Sequence, residues 1–346
     1  MKKFAVCLLI VLCLSSGQVF AVEDSSDTQE LMNRIQDLEK RINELTEESR
    51  ARRKLEITEQ EKQEREKEVL DAVSRDYSLD PKHTLNIDYS FNYTYQPFER
   101  YDTLQAAMDR MSDHTVVHTI TTSYSVLDNM GINFSIPFRY EYQKMGTDDK
   151  LDERDVGDIS VGVSFQPRKS KPGDIRNTIS LSIAMPTGKS PYKILSGKEL
   201  STGNGVYAFS VAANFTKQVD PIVLFWNLGY THNMDPAGVE WRVSDTTTID
   251  KVKIGDSVSI GGGFAQSLSY RASVNYSFNY AYKFGPKYYV AGAEDPIRTG
   301  DTVSAMLNIG MGWRVSQKTT LSFSVGYNLT GSSFSLSFRM PFTFIL

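Results

Sequence analysis

Beyond residue 13 this 346-residue chain has no cysteine, which fits an oxidising compartment where stray thiols cross-link. Cys7 and Cys13 both fall within residues 1–21, which read as a secretory signal. Lys2 and Lys3 are followed by the apolar run Phe4 to Leu14 and the exit Val19-Phe20-Ala21, placing the mature start at Val22. A small residue is missing before Cys13, where Leu12 stands, and this argues against a lipid anchor. A basic excess is missing too. Loss of Lys2 and Lys3 moves the formal charge from -4 to -6, which excludes a basic nucleic-acid binder. After the signal no run approaches the roughly 20 apolar residues that a membrane helix needs. Any span must therefore consist of strands, and lipid admits strands only in a closed barrel, because open edges leave backbone amides unbonded.

From Asp27 to Asp76 glycine and aromatic residues are absent, and Glu, Lys, Arg and Gln dominate, a helical composition. Leu31, Ile35, Leu38, Ile42 and Leu45 repeat with 4-3-4-3 spacing, which predicts a short coiled coil over residues 22–50. Ser49 and Arg52 continue the register in polar form, so the seam fades after about three heptads. Ile at a with Leu at d favours dimers. The run from Arg34 to Glu39 instead resembles a trimer-favouring signature, and a trimer is the expectation. Residues 51–82 form a charged helical stretch with an apolar group at Val69, Leu70 and Val73, ended by Asp80-Pro81. It is either a solvated spacer or a plug packed in or under a barrel mouth.

From residue 83 to 346 the pattern changes to Tyr, Phe, Ser, Asn and Gly in alternation, which predicts a transmembrane antiparallel β-barrel. Leu85, Ile87, Tyr89, Phe91, Tyr93 and Tyr95 share one face, and polar residues including Asp88 and Asn92 share the other. The segment 268–283 repeats this, with Tyr276, Phe278 and Tyr280 against Arg271, Asn275 and Asn279. Apolar residues are expected on lipid, and Asp88, Asn92, Arg271, Asn275, Asn279 and Arg339 in the lumen. Twelve strands are predicted, over about 84–96, 115–127, 131–143, 156–166, 175–185, 204–217, 221–232, 254–265, 268–283, 301–313, 319–328 and 333–346. Ten or fourteen remain open, because alternation blurs in the fourth, seventh and eighth.

Long connections alternate with short ones, as in outer-membrane barrels, except that Pro167 to Asp174 is longer and Leu329 to Ser332 shorter than the pattern asks, so an even count puts both termini in the periplasm. Residues 97–114, 186–203 and 233–253 are the longest outer loops. Pro137 and Pro341 are expected to force bulges or breaks, since proline lacks a ladder donor. The last strand, with Phe334, Leu336, Phe338, Met340, Phe342 and Phe344 on one face, resembles a barrel-assembly signal, except that Leu346 replaces the usual final aromatic.

Reaction chemistry is hard to find. Met185-Pro186-Thr187-Gly188-Lys189-Ser190 comes close to a phosphate loop, but Ile183 stands where a Walker motif needs glycine, so a loop turn is expected. His114 and His118 would lie roughly 13 Å apart on a strand, too far to share a metal, and are expected in the lumen or a loop. No metal, cofactor or catalytic set is expected, and an enzyme is the least favoured reading.

Gly157-Asp158-Ile159-Ser160-Val161-Gly162-Val163, Pro186 through Tyr192, and Asp220-Pro221 through Asn233 resemble the outer-membrane transporter family labelled MetA-type channels. With a coiled coil ahead of the barrel, the chain is similar within that family to functional-amyloid secretion channels of the Fap type. The resemblance implies a homotrimer of twelve-stranded barrels in outer-membrane lipid, each with a helical plug, exporting an unfolded amyloid subunit. Residues 51–82 take the plug role by position. Two other readings stand beside export: a pore for small, hydrophobic molecules, and a structural anchor for a periplasmic stalk.

Overall fold

The structure, a computed structural model, describes residues 25–55, 79–102, 107–145, 149–168, 174–194, 198–219, 221–239, 241–244, 247–269, 271–290, 292, 295–316 and 319–345. The signal and the Val69, Leu70 and Val73 group lie outside the described residues, as does Leu346.

A single helix, α1 (Ser25–Leu55), carries the heptads. It passes the expected boundary at residue 50 because Arg50 to Leu55 keep the same strong helix formers. An Asp37–Arg41 pair at 3.3 Å supports the exposed side one turn apart. Ile35, Leu38, Ile42 and Leu45 are all more than half exposed, so the chain supplies a helix with an open seam. The coiled coil itself, which needs further helices, is not shown.

The second unit is a closed antiparallel barrel. Its strands are β1 (Thr84–Asp102), β2 (Ala107–Leu127), β3 (Met130–Met145), β4 (Asp149–Val156), β5 (Ile159–Phe165), β6 (Arg176–Met185), β7 (Ala208–Val219) and β8 (Ile222–Asn233). After β9 (Trp241–Ser244) and β10 (Thr247–Lys253) come β11 (Ser257–Ser267) and β12 (Ala272–Lys283). Then β13 (Lys287–Val290) and β14 (Ile297–Arg298) precede β15 (Thr302–Arg314), β16 (Thr320–Asn328) and β17 (Phe334–Ile345). β1 pairs with both β2 and β17 and β3 with both β2 and β5, which closes a ring of 12 strands. β4 continues the line of β5 along β3.

Closure follows from the alternation. Direct cross-strand partners point to the same side, so Phe278 meets Leu307 and Gly262 while Asn279 meets Met306 and Gly261. Leu228, Ile260, Phe278, Leu307, Phe323 and Val325 form an exposed apolar exterior. In water that surface would be a large liability, and a hydrocarbon solvent removes it.

Pro137 itself carries no bulge, and the break falls on the strand opposite. β3 runs straight through it, and the opposite strand breaks between β4 and β5 at Gly157-Asp158, where the pairing shifts by one residue. The Gly157 N–H donates to the Pro137 carbonyl at 2.8 Å. Pro341 forces nothing. The ladder to β1 continues through Asp88↔Pro341 without a shift, and pairing with β16 has already ended at Arg339. The missing donor therefore costs no bond on that side.

The loops depart most from expectation. Residues 97–114 are largely strand, because β1 and β2 stay paired out to Asp102↔Ala107. Residues 233–253 and 284–301 hold β9, β10, β13 and β14, a separate four-stranded sheet at the long-loop end. Val206, Ile249, Val252 and Ile254 are its buried core, with Tyr192, Trp241 and Tyr288 packed against them. Alternation could not reveal it: Ile249 and Val252 are three residues apart, and a bulge between Ile249 and Lys251 lets both face inward.

Candidate channel lumen

Most of the inner wall is small and uncharged. Hydroxyls pair across strands, as in Thr121–Ser135 at 3.0 Å, Ser164–Ser180 at 3.1 Å and Ser210–Thr231 at 2.9 Å. Elsewhere an asparagine lies flat over a glycine of the next strand. Gly261 sits between Asn227 and Asn279, and a Cβ there would collide with both amides. Asn275 lies over Gly310 in the same way. With the amide folded onto the wall, less side chain projects into the lumen.

Two sets of charges interrupt this lining. Near the short-turn end Arg339 pairs with Asp88 at 3.1 Å, and Asn92 donates to Ser337 Oγ at 2.8 Å. A cavity of about 530 Å³ opens here, lined by Asn86, Asp88, Asn133, Arg339 and, from outside the strands, Leu79 and Asp80. Asn86 donates to Asp80 Oδ2 at 2.6 Å, and Leu79 lies 3.7 Å from where a Gly131 Cβ would stand. His83, at a left-handed φ of 63°, turns the chain from this cavity into β1. The Lys82 and His83 amides, bonded to Asp128 and Ser125, fix that turn on the mouth.

The second charged set lies toward the long-loop end. Arg139 pairs with Glu141 at 2.7 Å, Thr115 donates to Glu141 Oε2 at 2.5 Å, and Gln143 donates to Asp113 at 2.7 Å. The loop between β6 and β7 is bound beside them. Asp158, half-buried at the bulge, accepts from the Gly188 N–H at 3.1 Å and the Asn204 N–H at 2.6 Å, clasping both ends of the loop. Thr187 donates to the Gly157 carbonyl at 2.8 Å, and Thr202, fully buried, to that of Val156 at 3.3 Å. A Cβ on Gly157 would meet Arg139 Cδ at 2.9 Å, Pro137 Cγ at 3.0 Å and the Thr202 carbonyl at 3.2 Å. Thr202 thus shares the lumen side with Arg139, so the loop folds inward over the wall.

This disposes of the phosphate-loop likeness. The Gly188 amide is committed to Asp158, and the Lys189 ammonium binds Glu153 at 2.8 Å and Glu199 at 3.5 Å. The Glu153 hydrogen bond holds Lys189 protonated above the usual lysine range.

Asp88, Asn92, Asn275, Asn279 and Arg339 all occupy the inner face in the strand register. Arg271 does not sit on the wall. It precedes β12 in a turn closed by Ser269, at the exposed rim. His114 and His118 were expected in the lumen or a loop; they lie on the outer face of β2, bonded to Tyr93 and Tyr89 hydroxyls at 2.8 Å each. Thr115 is lumenal, so its neighbour His114 must face out. The sequence showed Asp158 only as part of the Gly157 to Val163 motif, with no role attached, and did not single out Thr202. The Gly157-Asp158 pair beside a blurred strand was the available signal for the bulge.

At the long-loop rim two carboxylates tie loops to strand ends. Asp256 accepts from Tyr230 Oη at 2.6 Å, His232 Nδ1 at 2.9 Å and the Asn233 N–H at 3.3 Å. Asp301 accepts from the Tyr282 hydroxyl, the Gly285 N–H and Arg298. The tyrosine hydrogen bonds, above the other contacts, hold both acids below the usual carboxylate range. A depressed native pKa stabilises these loops fully above the unfolded carboxylate value, about 3.9, and loses that support as pH falls through the lower native value. Fluorescence of Trp241, read in a variant with Trp226 and Trp313 replaced by phenylalanine, should hold steady from pH 7 to about pH 5 and change only below about pH 4. A transition centred near pH 6 would contradict these anchors.

No protein family model matches the chain, so the likeness to MetA-type and Fap-type channels rests on the quoted motifs alone. Among solved structures, the COG4313 outer membrane channel from Pseudomonas putida F1 superposes with a TM-score of 0.58 at 11% identity, covering 78% of this chain and 98% of that one. The translocator domain of autotransporter NalP from Neisseria meningitidis follows at 0.46 and 10% identity, covering 80% and 93%. The TodX deltaS2S3 mutant monoaromatic hydrocarbon channel gives 0.44 at 10% identity, covering 77% and 91%. At such identities the likeness is one of fold, and the first of these matches agrees with the closed barrel of 12 strands as a fold that outer-membrane barrels adopt.

Proposed function

We propose that the chain is an outer-membrane channel passing small, hydrogen-bonding molecules between its outer loops and the periplasm. The observation that carries this reading is the inner wall, built mostly of Ser, Thr, Asn and Gly between two charged sets, on which amides and hydroxyls are folded flat. Eight-stranded barrels are filled by side chains and sixteen-stranded ones hold water, so twelve strands with a small lining leave a narrow passage. Such a wall suits hydroxylated or amide solutes better than hydrophobic ones. The short-turn end, periplasmic in outer-membrane barrels, is also where Leu79 and Asp80 enter the lumen. We therefore assign a resting restriction of that mouth to the segment ending at residue 82.

Single-channel conductance in planar bilayers tests both parts. Deletion of residues 22–82 should raise conductance strongly over the full chain, and liposomes carrying the barrel should swell in neutral sugars. Negligible current with and without the segment would sink the channel reading and favour the envelope anchor.

Export of an unfolded polypeptide is the second reading, favoured by one observation, the exposed Ile35, Leu38, Ile42 and Leu45 seam of α1. That seam fits two further copies of this chain, which would gather a polypeptide at three mouths. Cross-linking should then trap trimers, and an unfolded amyloid-type subunit should block the current; monomers and unblocked current would remove this reading.

A further inference from the structure

The inward loop between β6 and β7 meets the charged wall at one cation. Lys189 stands between Glu153 on β4 and Glu199 on the loop's far limb, and Glu153 is the direct cross-strand partner of Glu141, itself paired with Arg139. Its own backbone closes the loop: the Lys189 carbonyl accepts from the Thr202 and Gly203 amides at 3.2 and 3.1 Å, and its N–H donates to Thr202 Oγ1 at 3.0 Å. Gly188 and Gly203 are in such close contact that a Cβ on Gly188 would stand 2.8 Å from the Gly203 backbone. One residue thus joins the loop's two limbs and ties both to the barrel.

We infer that Lys189 is the positioning residue of an internal constriction, holding the 186–207 loop against the lumen wall and setting the charge that a permeating ion meets there. The inference rests on the channel reading above. Glu141, Glu153, Glu199 and Asp113 outnumber Arg139 and Lys189 around the constriction, so the passage prefers cations. Removal of the lysine has two consequences. The limbs lose a charge-assisted bridge, and the local charge becomes more negative.

The test uses the full chain with Lys189→Gln, Glu153→Gln and, as control, the exposed Lys198→Gln. Amide exchange of peptides spanning residues 199–205 should speed up about tenfold in Lys189→Gln and stay at the wild-type rate in Lys198→Gln. Reversal potentials in a salt gradient should shift toward cations in Lys189→Gln and away from them in Glu153→Gln. A merely structural lysine would not give shifts of opposite sign. Unchanged exchange in a folded, heat-modifiable Lys189→Gln barrel would overturn the holding role. Coincident reversal potentials in a conducting channel would overturn the charge role. Absence of current in every variant would instead count against the channel reading, and amide exchange would still decide whether Lys189 holds the loop.

Discussion

Asp158→Ala is expected to release the inward loop while leaving the barrel folded. Its carboxylate accepts from the Gly188 and Asn204 amides, one at each neck of the loop, and alanine leaves both N–H groups without that acceptor. A hydrogen bond to a charged group contributes about 1.5–3 kcal/mol, so losing two should lower the free energy of local opening by roughly 3 kcal/mol. Amide exchange across 186–206 should then accelerate by about two orders of magnitude. The barrel ladders of β5, β6 and β7 do not depend on Asp158, so heat-modified mobility in gels should match the wild type. Asp158→Asn, which keeps a neutral acceptor, should fall between. If exchange in the loop is unchanged, the clasp at the bulge is not what holds it inward.

The second large effect contrasts two adjacent residues. Phe278 lies on the exposed apolar exterior near the middle of β12, and Asn279 points into the lumen beside Gly261. An arginine on the lipid face near the bilayer midplane costs about 2–4 kcal/mol, and lumen substitutions mainly tune selectivity. Phe278→Arg should therefore destabilise the folded barrel by at least about 2 kcal/mol in reversible urea titrations in liposomes. Asn279→Arg should stay within about 1 kcal/mol of wild type, because water in the lumen solvates the guanidinium. It should also move the reversal potential toward anions. Equal destabilisation by both would mean that the two faces are misassigned, and reversed effects would turn the barrel inside out.

The contrast also measures how much was legible beforehand. Strict alternation in 84–96 and 268–283 assigned Tyr89 and Phe278 outward and Asp88, Asn92 and Asn279 inward, and the pairing register agrees. A strand has a period of two whatever surrounds it, and lipid on one side with water on the other allows no compromise between the faces. Where periodicity lapses, the sequence went quiet. The fourth predicted strand blurred because a bulge at Gly157-Asp158 shifts its register. The outer sheet escaped notice because a bulge lets Ile249 and Val252 share a face three residues apart.

The amino-acid sequence by itself determined the helix with its heptad seam, a barrel with twelve as the leading strand count and the chemistry of the two barrel faces, and ring closure decided the count. These are local, periodic properties that each segment carries alone. Only the tertiary structure decided that Asp158 reaches both ends of a loop, Gly188 at 3.1 Å and Asn204 at 2.6 Å, that Lys189 bridges Glu153 and Glu199, and that Leu79 and Asp80 line the mouth. Those contacts join residues 10 to more than 40 positions apart, with spacings set by ring closure and bulges rather than by any repeat.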